Sequence, residues 1–134
     1  MSEENVELVR KGFAAFARGD PEGLKALCHP DVTWYPALGP VLEQSSYHGP
    51  DAVCRLLFEE IPSVLEGYRA ETLGLEDLGD AVLAIVRFAG TSASTGLPVE
   101  QTFFQLFRHR NRKMIEMRGF TSREKALEAA GLSE

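Results

Sequence analysis

Thiols and imidazoles are scarce in this chain: two cysteines, three histidines and a single tryptophan in 134 residues. Cys28 and Cys54 are not in a Cys-x-x-Cys spacing, which leaves free, buried thiols in a reducing compartment as the simplest reading. A nucleophilic Cys28 would need His29 as its base, and in the helical segment expected there adjacent side chains point in different directions. The dispersed histidines form no His-x-x-x-His pair, so no metal site is expected. No Walker loop, no Gly-x-Gly-x-x-Gly after a strand and no Gly-x-Ser-x-Gly elbow occurs, which removes support for nucleotide cofactors and serine hydrolase chemistry. Apolar runs fall well short of the ~20 residues of a membrane span. The Met-Ser-Glu-Glu-Asn start is unlike a secretory signal, so a cytoplasmic location and no membrane partner are expected.

Positive charge is also in deficit. Fourteen Lys and Arg against twenty Asp and Glu give a net charge of -6, which disfavours nucleic acid as a partner. The one basic run, 108–113, lies between two apolar runs where a solvated hairpin turn belongs. Length and 44% hydrophobic content suit one ordinary folded domain over 1–134, with no internal repeat.

What the chain does have is a long aromatic strand, Val99 to His109, in which Gln101, Phe103, Gln105 and Phe107 share one face. Amides interleaved with phenyl rings suit the wall of a pocket, because a buried amide needs partners or a wet cavity. The other reading is a closed core in which the amides are satisfied internally. Before this strand, Val6, Val9, Phe13 and Phe16 mark a first helix. Asp20-Pro21 caps a short second helix that Pro30 must stop near His29. Asp31 to Pro36 alternates as a strand with Val32 and Trp34 on one face and Thr33 and Tyr35 on the other. Gly49-Pro50-Asp51 opens a third helix, which Pro62 ends or kinks. Strand patterns follow over Tyr68–Asp77, Ala81–Ala89 and Lys113–Phe120, and Thr121-Ser122-Arg123-Glu124 offers a capping box for a last helix. Helices first and consecutive strands after make the class α+β.

Four stretches, Phe13–Asp20, Leu27–Trp34, Tyr47–Val53 and Ser122–Leu132, resemble the SnoaL-like proteins of the nuclear transport factor two-like superfamily, which also holds the ketosteroid isomerases. The resemblance implies a cone-shaped α+β barrel: three N-terminal helices over a strongly curved, mostly antiparallel sheet, a short C-terminal helix, an apolar cavity and a homodimer through the sheet. At the places of the isomerase catalytic groups this chain has Gly12, Tyr35-Pro36 and Gln105, so only a polarising amide survives. Continuing that register puts Ile115, Met117 and Gly119 beside the strand.

The function expected is therefore a small-molecule cavity protein binding an apolar cyclic or polyketide-like ligand, with isomerase, cyclase or hydratase-type proton chemistry as the reaction class. The competing reading is a non-catalytic binding or dimerisation module. His48, Arg87 and Gln105 are the candidate catalytic residues, and Phe16, Trp34, Tyr35, Phe58, Gln101, Phe103, Phe107, Met117 and Gly119 the candidate pocket. No cofactor is expected. Arg87 faces the cavity if the Ala93–Gly96 connection pairs it with Gln101, and the convex side and a dimer partner if that connection is one residue shorter. Epoxide hydrolases of this superfamily set an arginine between two carboxylates, for which Glu71, Asp77 and Glu100 are the nearest candidates.

Overall fold

The computed structural model describes residues 2–37, 42 and 44–132. Helix α1 (Ser2–Ala17) carries its acidic Glu3 and Glu4 in the first turn, where the helix dipole favours them. Helix α2 (Pro21–Ala26) is capped by Asp20, whose carboxylate accepts from the Gly23 amide at 2.9 Å. Strand β1 (Cys28–Tyr35) follows at once, so Cys28 belongs to a strand and not to the helix expected for it. A two-residue edge strand, β2 (Tyr47–His48), pairs with β1 just before the third helix.

Helix α3 (Pro50–Arg55) runs through a π-helical turn (Leu56–Glu60) into α4 (Ile61–Val64). Pro62 does not stop this helix. Proline cannot donate to the preceding turn, and the wider turn before it absorbs the mismatch. The long strands β3 (Leu65–Asp77), β4 (Val82–Ser92), β5 (Pro98–Arg110) and β6 (Lys113–Phe120) then form an antiparallel meander. Helix α5 (Arg123–Ala129) is capped by Ser122, whose hydroxyl accepts from the Lys125 amide.

Sheet order is β2-β1-β6-β5-β4-β3, with β1 parallel to β6 and every other pair antiparallel. The curved sheet does not close on itself, and the N-terminal helices cover its concave face, which makes the architecture α+β. Asn111 and Arg112, both at positive φ (52° and 63°), form the tight β5–β6 turn, the geometry whose twist matches a two-residue hairpin. The main core lies between helices and sheet. A smaller one, Ala81, Leu83 and Leu106 under Ala126 and Leu127, fixes α5 to the convex face. No helix among the described residues is long and apolar enough to cross a membrane.

Gly119 on β6 shows how tightly β1 and its exit pack. A Cβ there would lie 2.8 Å from the Ala37 amide nitrogen and 3.1 Å from the Ala37 Cβ. Backbone cannot yield as a flexible side chain can, so Gly119→Ala is expected to destabilise the fold by ~1–3 kcal/mol. Urea unfolding midpoints of the two proteins would measure this.

Candidate ligand cavity

Because β5 alternates, Phe103, Gln105, Phe107 and His109 all project from its concave face. Phe103 faces Phe88 of β4 at a ring distance of 5.4 Å, and Phe88 stacks on Tyr68 of β3 at 5.4 Å. Tyr68 in turn meets Phe16 of α1. At the other end Phe107 is struck edge-on by Phe13 of α1 at 5.9 Å and by Trp34 of β1 at 6.2 Å. Between these two aromatic groups lies a cavity of about 70 Å3, several times what one water needs. Its roof includes Val9, Leu56, Leu57 and Ile61, and its floor includes Met114, Met117 and Gly119.

The wall holds no Asp, Glu, Lys or Arg among the described residues. Its polar groups are the Trp34 indole, the Gln105 amide, the Tyr68 hydroxyl and the His109 imidazole. Trp34 Nε1 and His109 Nδ1 are buried without a hydrogen-bond partner among the described residues. The Gln105 side chain, 7% exposed, likewise makes no hydrogen bond among the described residues. Burial raises the Tyr68 pKa and lowers that of His109, so both stay neutral near pH 7.

Phe16, Trp34, Phe103, Gln105, Phe107, Met117 and Gly119 thus line one cavity. Tyr35 does not. It follows Trp34 on a strand and points to the opposite face, where the Arg118 guanidinium sits 4.2 Å from its ring centre. Phe58 lies behind the wall, against Phe16 at 5.7 Å. Gln101 shares the face of Phe103, opposite Phe88, but sits exposed where the sheet extends past the cavity. Arg87 pairs with Thr102, not Gln101, and so projects from the convex side, where its guanidinium binds the Glu71 carboxylate and feels Glu100. An arginine between two carboxylates does exist in this molecule, in solvent and outside the cavity. Asp77 is spent on its own turn, accepting from the Gly79 amide at 2.9 Å. His48 is exposed beside Thr33, with Thr33 Oγ1 at 3.3 Å from Nδ1 and Ser46 Oγ at 3.1 Å from Nε2.

Ile115 was expected inside and is not. Arg108 pairs with Glu116 but His109 pairs with Met114, so Ile115 is the extra residue of a bulge and Met114 takes the inward place. His109 was assigned to the basic turn. The signal that would have found it is the same period-two alternation that places Phe107, carried one step further. The cysteines stay apart from this chemistry: Cys28 is buried with its pKa pushed up to about 12, and Cys54 donates to the Pro21 carbonyl. No cluster of three or more His, Cys, Asp or Glu among the described residues could hold a metal ion.

The SnoaL-like domain family matches residues 9–117, which takes in the roof, β1 and all of the meander as far as Met117. The chain belongs to that family. Among curated proteins none matches it. Solved structures similar to this SnoaL-like domain include an NTF2-like protein from Burkholderia thailandensis, 27% identical with a TM-score of 0.78 over 94% of both chains. Bal32a, from a soil-derived mobile gene cassette, is 25% identical with a TM-score of 0.79 over 89% of each chain. TerC, co-crystallised with polyporic acid, is 24% identical with a TM-score of 0.76, over 89% of this chain and 92% of its own.

Gly12, Pro36 and Gln105 all line the cavity of this domain, and none of them ionises. That leaves His109 and Tyr68 as the ionisable groups of its wall. The folded state binds fewer protons at His109 than the unfolded chain does near and below its ordinary pKa of 6.5. Its contribution to stability is therefore full above that pKa and is lost as pH falls. Replacing His109 by Gln removes this dependence, so the gap between urea midpoints measured at about pH 7.5 and about pH 5 should narrow in the variant.

Proposed function

We propose that this SnoaL-like domain binds a flat, neutral, apolar small molecule of the cyclic or polyketide-like kind, with a few oxygen functions, in the cavity under α1. One observation carries the reading: an uncharged, aromatic-walled cavity in which the Trp34 indole N–H and the His109 Nδ1 have no hydrogen-bond partner among the described residues and the Gln105 amide joins them in the wall. A buried polar group without a partner costs ~1–3 kcal/mol, and a ligand oxygen or hydroxyl reaching it would offset that cost. A charged ligand would lose its hydration with no counter-ion to replace it. TerC, a protein of this fold co-crystallised with polyporic acid, supports a small-molecule role.

Trp34 is the single tryptophan and lines the cavity, so its fluorescence reports occupancy directly. 2-Naphthol should quench it saturably, and 2-naphthoate should bind about a hundredfold more weakly or not at all. Gln105→Leu should weaken 2-naphthol by about tenfold while leaving naphthalene unchanged or tighter, because only the oxygenated ring loses a hydrogen bond. Equal affinities for naphthol and naphthoate would end this reading.

A second reading, self-association through the sheet, is favoured by one feature. Leu97 and Val99, at the end of the β4–β5 hairpin, are 63% and 38% exposed. Under this reading the protein sediments as a dimer and Leu97→Asp with Val99→Asp shifts it to monomer; a wild-type monomer at all concentrations excludes it.

A further inference from the structure

The three histidines differ in what their nitrogens do. His29 Nδ1 accepts from the Asp31 amide at 3.0 Å, and both His48 nitrogens are engaged by hydroxyls outside the cavity. His109 alone makes no hydrogen bond among the described residues, and it alone lines the cavity. A histidine that only filled space would be replaceable by an apolar side chain without the cost of an unpartnered nitrogen. Gln105 and His109 stand two residues either side of Phe107, each ~7 Å from it along the strand. A flat ring lying over Phe107 therefore meets an amide at one edge and an imidazole at the other.

We propose that His109 is the acid–base residue of this cavity, moving a proton on a flat cyclic ketone whose acidic C–H adjoins, or is conjugated with, its carbonyl. The inference rests on the ligand-cavity reading above and adds to it the reaction and the group that performs it. Neutral His109 takes the proton from carbon. The C–H electron pair becomes the new C=C bond, and the carbonyl π pair moves onto oxygen. The imidazolium then returns the proton to the same carbon or to a conjugated one. The net change is exchange or isomerisation, and no co-reactant is needed.

No charge from the packed elements competes for the imidazole. β6 and β1 bring Met114 and Cys28, the latter a thiol that burial keeps protonated. Leu8, Val9 and Gly12 line the cavity from α1. Glu4 is paired with Arg112 of the turn, Lys113 bonds the Ala26 carbonyl, and Arg108 pairs with Glu116 on the other face of the strand.

2-Tetralone in D2O tests this, with loss of its C1 methylene signal followed by NMR and its binding followed by Trp34 quenching. Wild-type protein should accelerate exchange saturably, with a rate that is flat through neutral pH and falls only once the pH drops below the ordinary imidazole range, because burial holds the His109 pKa down. His109→Gln should still be quenched but lose about a hundredfold in exchange, and His109→Ala should regain exchange when free imidazole is added. Exchange equal in wild type and His109→Gln, with quenching intact, overturns this inference and leaves the cavity reading standing. Absence of quenching in the wild type overturns both.

Discussion

The contact that organises this molecule is the seating of Phe13 and Trp34 on Phe107, edge-on at 5.9 and 6.2 Å. It ties the first helix and the first strand to the long strand β5, elements separated by most of the chain. Such ring pairs contribute ~0.5–1.5 kcal/mol each beyond the area they bury. Their positional effect matters more. They hold α1 above a sheet that curves away from it, and the space left between is lined by whatever β5 and its neighbours turn inward.

Charge is sorted to match. The Arg87–Glu71 pair and the Arg108, Glu116 and Arg118 group lie away from the cavity, on or toward the convex side, where exposed ion pairs add little stability. The cavity wall carries no formal charge among the described residues, only dipoles and two neutral ionisable groups. In so dry a setting each unpartnered dipole is costly when the cavity is empty and interacts strongly with any oxygen placed beside it. A cavity of this kind selects by shape and hydrogen bonding more than by charge.

The likeness to ketosteroid isomerases reads differently once the wall is assembled. Gly12, Pro36 and Gln105 open space or offer a hydrogen bond, but none can take up a proton. An imidazole enters from a different position on β5, near the hairpin end. The fold is that of the superfamily, while the ionisable side chains in this wall are Tyr68 and His109, in keeping with function residing in side chains grafted on a shared scaffold.

By itself the sequence determined the α+β class, the cap at Asp20, a C-terminal helix whose cap falls at Ser122, one residue after the Thr121 of the expected box, and the alternation that turns Phe103, Gln105 and Phe107 inward, because these depend on local periodicity and backbone preference. Only the tertiary structure decided which way Arg87 faces, since one residue of register between β4 and β5 reverses a side chain. It also exchanged Ile115 for Met114 through a bulge, set Gln101 past the end of the cavity and Phe58 behind its wall, and continued β5 to Arg110 so that His109 faces inward instead of joining the turn. Those outcomes rest on strand pairing and on how far the helices reach across the sheet, which are long-range quantities that no local pattern carries.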